Sequence, residues 1–174
     1  FILSDSGAET LFSDAEFAKT VEGLRKEAGS TIKRRVVMGG KVEEAVSYEE
    51  ALTQGSEEEP EGTETVTLDH PHIIMYTAGT TGRPKGGVMT FGVLYNIITN
   101  ILINLDKPIG PEDIYLSAGP LTHAAGLMMM VYYCRGARSI ILPRFDPELV
   151  LETIDRERVT SVLFVPTMLA MILR

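Results

Sequence analysis

The chain holds a single cysteine, Cys134, so no disulfide can form within it. That scarcity fits a reducing compartment, and a cytoplasmic protein is expected. Histidine is nearly as scarce, with only His70, His72 and His123. No His, Cys, Asp or Glu spacing has the form of a zinc site. Long apolar runs are missing too. The longest candidate, residues 93–105, is broken by Asn96, Thr99, Asn100 and Asn104, and falls short of the ~20 apolar residues a membrane-crossing helix needs. No secretory signal is visible. Positive charge is in deficit: 16 Lys and Arg stand against 24 Asp and Glu, a net charge of -8. Such a chain has no electrostatic footprint for nucleic acid or for an anionic membrane. Much of the acid is concentrated in Glu57, Glu58, Glu59, Glu61 and Glu64, so the rest of the chain is closer to neutral. There is no initiator methionine, and Phe1-Ile2-Leu3 opens directly into apolar sequence, as an end cut from a longer chain would.

What is present suits a packed domain. Hydrophobic residues make up 44% of 174, enough for a real core and too many for wholesale disorder. Residues 1–3 read as the end of a buried strand, and residues 9–12 as a second. Asp14 is placed to cap a helix whose apolar stripe is Phe17, Val21, Leu24 and Ala28, and Gly29 ends it. Residues 32–38 read as a strand. Residues 47–52 read as a helical turn with Ser47 and Glu50 in capping-box spacing. Residues 54–65 are acidic and poor in apolar side chains, and are expected to form a mobile loop within one domain. Strands are expected at residues 72–77, 88–90, 113–118, 139–142 and 161–165. Helices are expected over residues 91–105, largely buried with Asn96, Asn100 and Asn104 as a wet stripe, and over residues 124–134. Cys134 reads as a small buried hydrophobe. Asp146 and Pro147 open a further helix, with Val150, Leu151 and Ile154 facing the core and Glu152 paired to Arg156. Pro166 opens a last one. Apolar strands alternating with helices indicate an α/β fold, a mostly parallel sheet with helices on both faces.

The stretch Tyr76-Thr77-Ala78-Gly79-Thr80-Thr81-Gly82-Arg83-Pro84-Lys85-Gly86 carries the chemistry. A nucleoside triphosphate needs backbone N–H groups turned toward it, small residues that let the chain approach, hydroxyl donors and a cation. Gly79 and Gly82 supply the conformational freedom. Thr77, Thr80 and Thr81 offer hydroxyls. Pro84 holds Arg83 extended, and Lys85 supplies a point charge on a flexible stem. The alternative is a flexible surface turn, which has no need of two adjacent threonines, a proline and a lysine in this order. The loop is not a Walker A motif and contains no Gly-x-Gly-x-x-Gly.

Residues 76–86 resemble the signature of the adenylate-forming superfamily, which includes acyl-CoA synthetases, luciferases and nonribosomal peptide adenylation domains. Other segments agree in the same order. Leu3-Ser4-Asp5-Ser6-Gly7 is similar to the family's turn at a nucleotide-domain strand. Gly119-Pro120-Leu121-Thr122-His123-Ala124-Ala125-Gly126 is similar to its Pro-Leu-Phe-His-x-x-Gly element. Residues 136–142, Arg144-Phe145-Asp146-Pro147 and residues 161–168 resemble the family's region C-terminal to that element. The likeness has departures. Ala78 stands where Ser, Thr or Gly is usual, Phe91 where many members have His, and Thr122 where an aromatic precedes the His.

The resemblance implies part of a large N-terminal adenylation domain over residues 1–174. The adenine-facing aromatic, metal-binding Glu, ribose-binding Asp, terminal catalytic Lys and mobile C-terminal domain would then lie beyond Arg174. It implies ATP and Mg2+ as cofactors and coenzyme A as co-substrate, in two steps: a carboxylate forms an acyl-adenylate, and a thiol then takes the acyl group. Lys85 would be catalytic, and Thr77, Ala78, Gly79, Thr80, Thr81, Gly82 and Lys85 would hold the nucleotide. His123 and Thr122 would line the pocket of a small carboxylic acid, though a His among small residues is as readily a packed one. An NTP-dependent phosphotransferase and a non-catalytic nucleotide-binding module remain open alternatives. Buried strands next to cut ends also imply self-association through exposed apolar surface.

Overall fold

The β-branched pair Val36 and Val37 lies buried in the central strand of a parallel sheet. The computed structural model describes residues 1–27, 31–62, 65–78 and 82–174, in two units, Phe1–Gly92 and Val93–Arg174. In the first unit, strands β1 (Thr10–Asp14), β2 (Arg34–Met38) and β3 (Val46–Ser47) pair in parallel in the order β1-β2-β3, with Phe12 opposite Val36 and Val37 opposite Ser47. Residues 1–3 are not a strand. Helix α1 (Ile2–Ser6) begins there: the Asp5 amide donates to the Phe1 carbonyl at 2.8 Å, and Gly7 closes it at φ 65. Phe1 and Ile2 have no strand partner among the described residues and are exposed.

Helix α2 (Ala18–Glu27) makes the crossover that two parallel strands require. It presents Val21 to the interior, while Phe17 and Leu24 of the expected stripe are exposed. Its Glu22 accepts a 3.1 Å hydrogen bond from the buried Arg35 of β2. Asp14 caps the 3-10 turn ahead of α2 through its extended backbone, without a side-chain hydrogen bond. Ala28 and Gly29 lie outside the described residues. Helix α3 (Tyr48–Gln54) forms as expected, but without the capping box. The Ser47 hydroxyl turns to Glu49 instead, at 3.1 Å. Strands β4 (Pro71–Thr77) and β5 (Lys85–Thr90) make an antiparallel pair. A link as short as residues 78–84 permits no other arrangement.

In the second unit, β6 (Ile114–Ser117), β7 (Arg138–Ile141) and β8 (Ser161–Val162) pair in parallel with β6 central. β8 is shorter than expected, and its residues are only partly buried. Helix α4 (Phe91–Asn104) sends Ile98, Ile101 and Leu102 toward a core of Ile109, Tyr115, Val131, Tyr132 and Ala137. It is less buried than its composition suggests, since Tyr95 and Ile103 are exposed. Its asparagines are the wet stripe, Asn100 bonding back to the Asn96 carbonyl and Asn104 to that of Asn100. Helix α5 (Ala124–Tyr133) packs on β6 and β7, with the Tyr132 ring stacked on Tyr115 at 4.9 Å. Cys134, just past its end, is exposed rather than buried. Helix α6 (Pro147–Glu157) is capped as expected, the Leu149 amide donating to Asp146 Oδ1 at 3.1 Å, and Arg156 meets Glu152 at 3.0 Å. Val150 is fully buried and Ile154 packs beside it, but Leu151 faces outward and Thr153 takes the interior position. Helix α7 (Pro166–Ile172) starts at the predicted proline. Four of the five strand pairings are parallel, so the mostly parallel α/β expectation holds among the described residues.

Candidate functional site

The glycine-rich segment is the tip of the β4–β5 hairpin. Thr77 ends β4, Lys85 begins β5, and the two are directly paired at the turn end of the hairpin. Lys85 and Gly86 therefore belong to a strand rather than to the loop, which fixes the backbone from which the lysine projects. Both Thr77 and Lys85 are exposed, and Lys85 has no ion pair among the described residues. Ala78 follows Thr77, exposed as well. Gly82, at φ +82, has nothing among the described residues within 4 Å of where a Cβ would sit. That left-handed conformation suits glycine and turns the chain back toward Arg83, Pro84 and Lys85. Gly79, Thr80 and Thr81 lie outside the described residues. What is described leaves the Lys85 ammonium and the Thr77 hydroxyl where the strands meet the turn, with the exposed Arg83 as a second cation and no acidic ion-pair partner of Lys85 among the described residues.

Two contacts beneath the loop were not visible in the sequence. The Tyr76 hydroxyl donates to Asp5 Oδ2 at 2.7 Å, and the Tyr76 ring covers Gly86, its strand partner. A Cβ on Gly86 would meet the Ile74 Cγ2 at 2.9 Å and the Tyr76 ring at 3.0 Å. The hydrogen bond to Asp5, with burial and the carboxylate's charge adding to it, raises the Tyr76 phenol above its ordinary value. At the hairpin's other end, the Phe91 amide donates to the His70 carbonyl and the Phe91 ring meets His72 at 4.8 Å. Phe91 is thus a packing partner at the position where resemblance led to expecting histidine.

In the second unit, four of the segments that carry the resemblance surround one cleft of ≈ 580 Å³, walled by Ala118, Gly119, Leu121, Leu142, Phe145 and Met168 among others. It opens beyond the C-terminal ends of β6 and β7, the edge of a parallel sheet where α/β proteins place their ligands. Thr122 and His123 are exposed on the turn that leads from Leu121 into α5, and neither is among the cleft's walls. The His123 carbonyl accepts the amides of Gly126 and Leu127 at 3.0 and 3.3 Å, starting the helix. Gly126 is obligatory here, because a Cβ would stand 1.9 Å from the Leu121 carbonyl oxygen. Among the described residues no three His, Cys, Asp or Glu side chains come together to hold a metal ion.

Comparison with known proteins agrees with the sequence motifs. Feruloyl-CoA synthase of an Amycolatopsis species is 36% identical over 168 residues, covering 95% of this chain and 30% of that protein. Among solved structures, a fatty acyl CoA synthetase of Mycobacterium tuberculosis superposes with a TM-score of 0.81 at 28% identity, over 99% of this chain and 32% of its own. The o-succinylbenzoate CoA synthetase of Bacillus subtilis, solved with its acyl-adenylate intermediate, gives a TM-score of 0.71 at 30% identity, over 98% and 40%. The chain spans about a third of the length of the curated relatives it matches. The family model described as AMP-binding enzyme matches residues 1–174, end to end, and the chain belongs to that family.

Proposed function

We propose that this chain is the phosphate-gripping part of an ATP-dependent carboxylate-activating ligase. The observation that carries the reading is the hairpin base, where Thr77 faces Lys85 across a turn with left-handed Gly82 between them. A carboxylate oxygen attacks the α-phosphorus of Mg-ATP, and the bond to the bridging oxygen breaks as pyrophosphate leaves. Charge accumulates on the β- and γ-phosphates, and Lys85 neutralises it from a fixed strand position. Thr77, Thr80 and Thr81 would donate hydroxyls, while Ala78, Gly79 and Gly82 would let the backbone approach. A thiol then attacks the acyl-adenylate carbonyl and AMP departs. The relatives' names make coenzyme A the favoured thiol. The apolar cleft at the end of β6 and β7 suits the hydrocarbon part of a small carboxylic acid, with Thr122 and His123 beside its Leu121 wall. The magnesium ion arrives with ATP, and no residue is assigned to it.

The reading extends to a cytoplasmic setting, from the single cysteine, and to one adenylation domain over residues 1–174. It also extends to self-association of these residues, since Phe12 on edge strand β1 is exposed. A clean monomer across a concentration series in sedimentation would remove that last element. The function itself is tested by incubating the whole protein that carries this chain with ATP and a panel of carboxylates. Carboxylate-dependent AMP and pyrophosphate are expected. ADP and orthophosphate would indicate a phosphotransferase, and binding without turnover a nucleotide-binding module.

A further inference from the structure

Tyr76 belongs to the glycine-rich motif but stands before the residues that a phosphate would touch. Its ring lies against the Gly86 backbone on the neighbouring strand, and its hydroxyl reaches Asp5, 71 positions earlier. Asp5 sits in α1, and the backbone around that helix is itself tied down. The Thr31 hydroxyl bonds the Leu3 and Ala8 carbonyls at 3.2 and 2.8 Å, and the Ser6 hydroxyl bonds the Leu3 carbonyl at 3.3 Å. The next strand pair after Tyr76 and Gly86 is Thr77 and Lys85, so the latch acts one residue below the pair that flanks the loop. Gly86 lacks the side chain that would otherwise hold this end of a hairpin, and glycine in a strand weakens it. The Tyr76 ring fills that space from across the ladder.

We infer that Tyr76 is a positioning residue for nucleotide chemistry: held by Asp5 and lying over Gly86, it fixes the strand ends from which Thr77 and Lys85 project. The inference rests on the ligase reading above. Tyr76 touches no substrate in this role. It sets the angle at which the lysine meets the leaving pyrophosphate, and a displacement of an ångström there lowers the rate without preventing binding.

The test is carboxylate-dependent pyrophosphate exchange by the whole protein carrying this chain, with Tyr76→Phe, Asp5→Ala, their double variant and Asp5→Asn. Tyr76→Phe and Asp5→Ala should each lower kcat about 10-fold, the scale of a hydrogen bond to a charged group, with KM for the carboxylate unchanged. The double variant should match either single one, because both remove the same bond. Asp5→Asn, which keeps an acceptor oxygen, should recover most of the rate. A merely structural tyrosine would shift the melting midpoint and leave kcat per folded molecule intact. Unchanged kcat in both single variants, or additive losses in the double, would overturn the inference while leaving the ligase reading standing. Should Tyr76→Phe not fold, the contrast between Asp5→Ala and Asp5→Asn decides it from the partner's side. No exchange by the unaltered protein with any carboxylate would overturn the ligase reading and this inference with it.

Discussion

Thr77 and Lys85 are cross-strand neighbours, the last backbone pair of the β4–β5 hairpin before its chain opens into the glycine-rich turn. Adjacent strands lie ~5 Å apart, so hydroxyl and ammonium groups leave the sheet from neighbouring points. A lysine on a free loop would lose more rotamer and backbone freedom on gripping a phosphate. Here the backbone part of that cost is met when the hairpin folds.

Gly126 is a steric necessity in the turn that leads into α5. Its built Cβ would fall 1.9 Å from the Leu121 carbonyl oxygen, and both neighbours are backbone-anchored. Gly126→Ala should destabilise the protein by roughly 1–3 kcal/mol, the usual scale of overpacking. Urea unfolding of the variant measures it, and a midpoint equal to that of the unaltered protein would show that the turn relaxes freely.

Asp146 caps α6 by accepting the Leu149 amide, with Pro147 at the first helical position. Removing that acceptor in Asp146→Ala should cost about 1 kcal/mol. Asp146→Asn or Asp146→Ser should recover most of it. Thermal melts of the three variants give the order, and equal midpoints would mean the cap contributes nothing.

Asp113 is held below its ordinary carboxyl value of 3.8, first by the Gly110 amide and then by the Thr160 hydroxyl and Lys107, against the opposing effect of burial. The amide donates at 2.9 Å and Lys107 Nζ lies at 3.3 Å. A depressed folded value means the charged form is favoured by folding. Its stabilisation is fully present above pH 3.8 and is lost as pH falls through the lower folded value. Melting midpoints taken from about pH 6 down to about pH 2 should fall less steeply for Asp113→Asn than for the unaltered protein. Parallel curves would show that Asp113 does not contribute to the acid response.

Local signals explain what the sequence revealed. The Val36-Val37 strand, the Asp146-Pro147 helix start and the turn chemistry at Gly82 each depend on a few adjacent residues. The failures depend on partners or on a helical angle. Phe1-Ile2-Leu3 is equally compatible with a short strand and a helical turn, and the choice fell to the Asp5-to-Phe1 bond and the Gly7 cap. In α6, hydropathy favours Leu151 inside, yet Thr153 is buried there. Its hydroxyl bonds the Leu149 carbonyl at 2.6 Å and so enters the core already satisfied. Cys134 lies past the last turn of α5, where the apolar run no longer predicts burial. The motif at residues 76–86 marked the candidate site, but the Tyr76–Asp5 latch joins segments with no local relation and left no mark in either.

The most direct measurement is the pyrophosphate-exchange rate of the whole protein carrying this chain, compared between Lys85 and Lys85→Ala. Loss of one preorganised charge contact to the leaving phosphates should slow exchange on the order of 100- to 1,000-fold, with the melting midpoint nearly unchanged because Lys85 is exposed and unpaired among the described residues. Exchange at the unaltered rate in Lys85→Ala would contradict the assignment of this hairpin as the phosphate grip.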